Sequence, residues 1–171
     1  EDIACMRSIT GLDVWSPCDE SSTRAIAKDT LQNPSLRVVR MERDPVRAVY
    51  GDDFLIDDSG YKELKVGSEV CVVSYGHLLH RVLQSTADFE AQKISVVDVY
   101  RIKPQSSKLA DFLRRYKGVL TVEEQCLNGG FGSAILELIA EYGVQVPVIR
   151  MGLPDRYYFD NGGRELLLDN Y

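Results

Sequence analysis

The stretch Val70-Cys-Val-Val-Ser74 begins a regular alternation of strand-like and helix-like runs that decides the fold. Apolar residues at helical spacing follow over 78–83, and the run Ile94-Ser-Val-Val-Asp-Val99 is again typical of a strand. The pattern then predicts a helix over 107–116, a strand over 119–122, a helix over 131–142, a strand over 146–151 and a short helix over 164–169. Strands rich in Val and Ile without polar alternation are typical of parallel sheets that are covered on both faces. We therefore predict an open, mostly parallel sheet of about four strands between helices.

Residues 1–43 show a shorter version of the same alternation. Apolar residues three apart near the start predict a helix, and 12–16 and 36–41 predict two strands. Asp19, a good N-cap, begins the helix between them. Two strands and two helices leave edges and faces of a sheet without partners. We therefore expect 1–43 to be an incomplete parallel-sheet segment of a larger domain.

The stretch 44–63 differs from both neighbours in composition. Five acids and one base lie between residues 51 and 63, together with turn-forming Gly and Ser. Within it, Phe54-Leu-Ile56 and the residues 61–64 predict the two strands of a small hairpin. We interpret 44–63 as an acidic linker that precedes a C-terminal domain over 64–171.

The overall composition excludes several classes of protein. Lys and Arg total 20 and Asp and Glu total 26, so the formal charge is −6, which argues against nucleic acid or an anionic membrane as a partner. The apolar runs are far shorter than the roughly 18 residues of a membrane span. The four cysteines form no C-x-x-C pair, which predicts free thiols in a reducing, cytoplasmic compartment and no metal site on this chain. The chain begins with Glu rather than Met, so we expect a processed or partial sequence.

The stretch Gly129-Gly-Phe-Gly-Ser133 follows a predicted strand and begins a helix, as a phosphate cradle would. It matches neither the G-x-G-x-x-G spacing nor the P-loop, because no Lys-Ser or Lys-Thr pair follows. Glycines at such turns more often serve backbone conformation and close packing. We interpret the turn as structural and predict no cofactor-binding residue on it.

Two pairs of polar residues could carry chemistry. Glu123 and Glu124 are neighbours in a strand, so their side chains point to opposite faces and cannot form a catalytic dyad within the chain. One of them could still serve a neighbouring subunit. His77 and His80 share a helix face, as metal ligands would, but no third ligand is close in sequence. We expect a partly buried structural histidine pair and no catalytic residue.

Three arginines are candidates for an anion site. Arg7 falls in the last turn of the first helix, whereas Arg40 and Arg43 fall at the end of the second strand. Ligands of parallel α/β sheets gather at the carboxyl ends of strands, and guanidinium groups bind phosphate with two hydrogen bonds. Alternatively, these arginines pair with acids close to them. Those acids are Asp2, Asp13 and Glu42.

Several stretches resemble the transketolase family. Glu1-Asp-Ile-Ala-Cys-Met-Arg-Ser-Ile and Leu12-Asp-Val-Trp-Ser-Pro-Cys-Asp19 are similar to the second half of its pyrimidine-binding domain. The stretches similar to its C-terminal domain are Val97-Asp-Val-Tyr-Arg-Ile-Lys-Pro104, Leu120-Thr-Val-Glu-Glu-Gln125, Gly129-Gly-Phe-Gly-Ser133 and Arg150-Met-Gly-Leu-Pro-Asp-Arg156. Deoxyxylulose-phosphate synthases share most of these motifs, and the β subunits of 2-oxoacid dehydrogenases share them more loosely. The motifs favour the first two groups, and especially the split, two-subunit transketolases.

The resemblance implies an incomplete parallel-sheet segment followed by a three-layer α/β domain of the transketolase C-terminal type. It implies the C-terminal part or a subunit of an enzyme that uses thiamine diphosphate and Mg²⁺ to transfer a two-carbon ketol unit between phosphorylated sugars. The chain alone would bind neither cofactor and would be inactive. Its partners would be an upstream diphosphate-binding domain or subunit, a homodimer partner and the phosphorylated sugar. The alternatives are a fragment of deoxyxylulose-phosphate synthase, which condenses pyruvate with glyceraldehyde phosphate, and a non-catalytic assembly module.

The resemblance also implies which residues contact substrate. Arg7 matches an arginine that contacts the substrate phosphate in the family, and Arg43 is the nearest match to a second such arginine in the synthase. The synthase has Pro and Gly beside that arginine, whereas this chain has the acids Glu42 and Asp44. We expect Arg7 and Arg43 to contact substrate phosphate.

Overall fold

A computed structural model of the chain describes residues 2–43, 45–89 and 93–171. Its elements, in chain order, are α1 (Asp2–Arg7), β1 (Asp13–Trp15), α2 (Glu20–Gln32), β2 (Arg37–Val39), β3 (Lys62–Lys65), β4 (Val70–Ser74), α3 (Leu78–Ser85), β5 (Ile94–Asp98), β6 (Arg101–Lys103), α4 (Ser107–Leu113), β7 (Gly118–Cys126), α5 (Phe131–Glu141), β8 (Val148–Leu153) and α6 (Arg164–Asn170). None of the helices within the described residues is both long and apolar enough to cross a membrane.

The larger sheet has five strands in the order β3-β5-β4-β7-β8. Strands β4, β5, β7 and β8 are parallel, as predicted, and β3 adds an antiparallel edge. Alternate residues of β4 face opposite layers, since Val73 packs with Phe131 of α5 whereas Val72 packs with Leu79 of α3. The predicted three-layer α/β fold class is therefore confirmed.

The smaller sheet has the order β2-β1-β6, with β1 and β2 parallel. Its third strand, β6, follows β5 in the chain and pairs antiparallel with β1, which the sequence analysis did not predict. Ile3 and Val14 of the N-terminal segment pack in the same apolar cluster as Val97 of β5. The segment 1–43 thus shares its core with the following residues, and the domain boundaries at 43/44 and 63/64 stay a prediction.

The predicted hairpin within 44–63 is wrong. Strand β3 pairs with β5, with Lys62 opposite Asp98, and residues 54–56 form no strand. Phe54 instead stacks on Tyr50, with 3.8 Å between the ring centroids. An isolated two-stranded hairpin is marginal in water, whereas the open edge of β5 lets Leu64 of β3 pack against the core.

The carboxyl ends of β1 and β4 face each other. A Cβ atom on Gly76, just after β4, would lie 2.8 Å from Ser16 Oγ, and Gly76 has a positive φ of 57° that favours glycine. Strands β5 and β7 lie on opposite sides of β4, so this is the crevice where ligands bind in many open α/β sheets. Residues 16–18 cover part of this crevice, and Cys18 packs beside α3.

Candidate functional site

The glycine-rich turn between β7 and α5 is closed by a carboxylate of the chain itself. Glu123 is buried, and its side chain accepts hydrogen bonds from the N–H groups of Phe131, at 2.6 Å, and Gly132, at 2.8 Å. A Cβ atom on Gly130 would collide with Glu123 Oε2. Burial raises the pKa of Glu123, and the two N–H groups oppose that rise only in part. The turn thus uses two of its N–H groups within the chain, and its interpretation as structural, with no cofactor-binding residue, stays a prediction.

The residues of this region do not fit thiamine diphosphate with Mg²⁺. The N–H groups that would hold a phosphate at the start of α5 already bind Glu123. Within residues 2–43, 45–89 and 93–171, no group of three or more His, Cys, Asp and Glu side chains could hold a metal ion. Glu124 faces away from Glu123, with its Oε1 3.0 Å from Arg164 Nε, so the two carboxylates form no dyad.

Arg7 lies at the end of α1 with its side chain 12% exposed. Its Nη1 donates to the carbonyl oxygens of Gly129, at 2.5 Å, and Gly130, at 3.0 Å, and its Nη2 donates to Glu137 of α5. The arginine therefore joins α1 to the glycine-rich turn and to α5. Its contact with a substrate phosphate stays a prediction.

Arg40 and Glu42, just after β2, form an ion-pair network that reaches the C-terminal helix. Arg40 Nε donates to Asp2 Oδ2 at 3.0 Å, and its Nη1 donates to Glu42 Oε1. The other carboxylate oxygen of Glu42 accepts from Arg164 Nη2. Burial alone would raise the pKa of Glu42, but the hydrogen bond from Arg164 and the charges of both arginines bring it below its usual value. For Arg40, pairing with nearby acids is thus the correct alternative.

Arg43 is exposed and makes no hydrogen bond or ion pair with any residue that the structure describes. Asp44, the second acid noted beside it, lies outside the described residues. The structure therefore does not bring Arg7 and Arg43 into contact with each other. It places Arg43 directly after the Glu42 network, with its guanidinium in solvent.

The histidine pair lines a cleft of about 700 Å³ between α3 and residues 45–49. His80 Nε2 lies 2.7 Å from the carbonyl oxygen of Cys18, and the two imidazole rings are 6.0 Å apart. His77 Nε2 is 4.0 Å from Glu165 Oε1. Both side chains are half-buried, as expected, and their purely structural role stays a prediction.

Sequence reasoning missed a buried acid at the end of β5. Asp98 is fully buried, and its Oδ2 accepts a hydrogen bond from the Tyr50 hydroxyl at 2.7 Å. Burial raises its pKa to about 7, although the hydrogen bonds from Tyr50 and Cys18 act in the opposite direction. A charged residue within the Val-rich run 94–99 was the available signal. Asp19 holds the same region, because its Oδ2 accepts the N–H of Tyr50.

Sequence reasoning also missed Arg164 as a partner of Glu42. The two residues are 122 positions apart, so no local pattern could connect them. Only the packing of α6 beside β7 and the loop after β2 brings their side chains together.

The chain is similar to known proteins over nearly all of its length. The family model described as "Transketolase, C-terminal domain" matches residues 60–170. A 1-deoxy-D-xylulose-5-phosphate synthase of Thermus thermophilus is 35% identical over 158 residues, which cover 92% of this chain and 25% of that protein. The same enzyme of Bordetella parapertussis is 31% identical over 170 residues, covering 98% of this chain and 27% of that protein. The chain thus spans about a quarter of the length of these relatives.

A similar solved structure is described as "Split gene transketolase, inactive beta4 tetramer". It has a TM-score of 0.90 and 30% sequence identity, and the likeness covers 100% of this chain and 56% of that chain. The likeness therefore includes residues 2–43 as well as the stretch that the family model matches.

Proposed function

The chain belongs to the transketolase C-terminal domain family, and we propose that it is the C-terminal part or a subunit of a thiamine-diphosphate-dependent transketolase. Such an enzyme transfers a two-carbon ketol unit between phosphorylated sugars. The observation that carries the proposal is the likeness to a split-gene transketolase over the whole chain. We place the enzyme in the cytoplasm, since the chain has four free cysteines.

The cofactor and its metal would be held by another domain or subunit. The glycine-rich turn is not a free phosphate cradle, because Glu123 closes it. The described residues also contain no group of three or more side chains that could hold a metal ion. The split-gene relative is described as an inactive tetramer of its beta chain, which supports the need for a further subunit. We propose an upstream diphosphate-binding domain or subunit and a homodimer partner for this chain.

Within that enzyme, Arg43 and Arg7 would contact the phosphate of the sugar. This role is supported for Arg43 by its exposed guanidinium, which has no partner among the described residues. Arg7 would have to exchange its ion pair with the exposed carboxylate of Glu137 for the phosphate, while its bonds to the glycine-rich turn hold it in place.

A deoxyxylulose-phosphate synthase is the second candidate, favoured by the curated relatives of 31–35% identity. A donor assay on the chain with its diphosphate-binding partner separates the two. We expect turnover of a ketose phosphate with an aldose phosphate acceptor and none with pyruvate. Condensation of pyruvate with glyceraldehyde phosphate would identify the enzyme as the synthase instead of a transketolase. Activity with neither donor, in an assembled complex that binds thiamine diphosphate, would favour a non-catalytic assembly module.

The phosphate role is tested by substitution in the same complex. A hydrogen bond to a charged group contributes about 1.5–3 kcal/mol, so Arg43→Ala or Arg7→Ala should lower kcat/KM for phosphorylated donors by about 10- to 150-fold. The kcat/KM for hydroxypyruvate, a donor without a phosphate, should fall only slightly. Arg47→Ala, at an exposed position of the same segment, is the matched control. Equal losses on both donors would assign the arginine to the fold instead.

A further inference from the structure

Glu42 is held from both sides by arginines of two different parts of the chain. Arg40 donates to one oxygen of its carboxylate, and Arg164, the first residue of α6, donates to the other. The Glu42 side chain is only 13% exposed. Each arginine has a second acidic partner, which is Asp2 for Arg40 and Glu124 for Arg164. Glu42 thus connects the loop after β2 to α1, β7 and α6.

This arrangement changes the electrostatic surroundings of Arg43, the next residue in the chain. An acid beside Arg43 would repel a phosphate if its charge were free. Here two guanidinium groups bind the Glu42 carboxylate, which offsets much of its charge. Arg43 itself has no partner among the described residues, so its side chain is available to a ligand.

We propose that Arg164 is a positioning residue for Arg43. By binding Glu42, it fixes the loop that carries Arg43 and reduces the repulsion that Glu42 would exert on a phosphate. The C-terminal helix would in this way contribute to substrate binding without touching the substrate. The part that concerns the loop rests on the geometry alone, and the part that concerns the phosphate rests on the proposed function.

The loop is tested first on the 171-residue chain, by the rate of tryptic cleavage after Arg40 and after Arg43. Cleavage of a folded protein requires local opening, so Arg164→Ala should speed both cuts by about 3- to 10-fold. Cleavage after Lys28, in α2, reports global unfolding and should not change. Unchanged cleavage after Arg40 and Arg43 overturns the proposal, as does an equal increase at all three sites.

Two further variants show whether Glu42 is the link. Arg81→Ala removes the ion pair with Asp169 at the other end of α6 and should leave the loop protected. An equal effect of Arg81→Ala would mean that the loop responds to any loosening of α6, which overturns the proposal. Glu42→Gln should speed cleavage as Arg164→Ala does, and the double variant should be no faster. Additive effects would show that Arg164 acts elsewhere.

The consequence for substrate is measured in the enzyme assembled with its diphosphate-binding partner. Arg164→Ala should raise KM for a phosphorylated donor by about 3- to 10-fold and leave kcat and the kinetics with hydroxypyruvate unchanged. Arg164→Lys should recover part of the loss, and Arg164→Ala should have no further effect in an Arg43→Ala enzyme. Faster tryptic cleavage with an unchanged KM overturns the positioning role and leaves the transketolase assignment intact. If Arg43→Ala itself has no effect, the phosphate role of Arg43 fails instead, and the positioning role fails with it.

Discussion

At the end of β7 a buried carboxylate bonds to the backbone of the following turn, whereas at the end of β2 a half-buried carboxylate bonds to arginine side chains. Glu123 accepts hydrogen bonds from two N–H groups and is only 3% exposed. Glu42 accepts from two guanidinium groups, and the next residue, Arg43, stands in solvent. Both places lie at the carboxyl ends of parallel strands, where α/β proteins bind ligands.

A position at the carboxyl end of a parallel strand is therefore not sufficient to make a ligand site. At the first strand end Glu123 already binds the N–H groups of Phe131 and Gly132, so the arrangement contributes stability. At the second, the ion pairs of Glu42 directly precede Arg43, a cation that has no partner among the described residues. At the second strand end a ligand can therefore pair with a cation that has no internal partner, whereas at the first it would have to displace a bond already made.

The largest expected effect comes from removing the carboxylate of the closed turn. Glu123→Ala leaves two buried N–H groups without an acceptor, so we expect a loss of about 3 kcal/mol in the free energy of unfolding, measured with urea. Glu137→Ala is the matched control, because that carboxylate is 67% exposed, and it should cost less than about 1 kcal/mol. A loss below about 0.5 kcal/mol for Glu123→Ala would mean that solvent reaches the turn.

The buried acid Asp98 provides a second test, through pH. Its pKa is raised from the ordinary 3.8 to about 7, so the protonated acid favours the folded state. That contribution is complete below pH 4 and is lost as the pH rises through about 7, which amounts to about 2.5 kcal/mol between pH 5 and pH 8. Asp19, Cys18 and Tyr50 face the same carboxyl group.

The comparison to make is between the chain and its Asp98→Asn variant, by urea denaturation at both pH values. The variant cannot ionise at this position, so the difference in stability between the two proteins should change with pH in the direction given. A difference that stays constant from pH 5 to pH 8 would contradict a buried, protonated Asp98.

Adding a single methyl group to the glycine-rich turn should also lower the stability of the fold. Gly130→Ala brings a Cβ atom against Glu123 Oε2, so we expect a loss of about 2 kcal/mol in thermal or urea unfolding. Gly118→Ala is the control, because the nearest atom to its Cβ would be Pro147 O at 3.9 Å. Similar stabilities for the two variants would show that the turn has room to adjust.

The smallest expected effect is at the junction of α1 with α5. Arg7→Ala removes bonds to Gly129 and Gly130 and a partly exposed ion pair, so a loss of about 1 kcal/mol is expected. Arg24→Ala, whose ion pairs are exposed, should change stability by less than about 0.5 kcal/mol. If both variants unfold at the same urea concentration, Arg7 does not hold the two parts together.

Much of the fold could be predicted from local patterns. The Val-rich runs around Val72 and Val96 are continuous because both faces of those strands are buried, and this periodicity is visible without a structure. Strand β6 could not be predicted in the same way, because three residues carry too little periodicity and its partner, β1, lies almost ninety positions earlier. The prediction of a hairpin within 44–63 failed for the same reason. Strand β3 pairs with the edge of β5 and not with residues 54–56, its neighbours in sequence.

The alternation of strands and helices, the parallel sheet, the family resemblance and the three arginines that could bind an anion are all visible in the amino-acid sequence. The internal partners of those arginines depend on the packing of the folded chain. Arg7 and Arg40 have internal partners, whereas Arg43 has none among the described residues. Periodicity reports which face of an element is buried, but ion pairs and caps depend on side chains from distant elements. The pairing of Glu42 with Arg164 across 122 residues exists only once the sheets and α6 are packed.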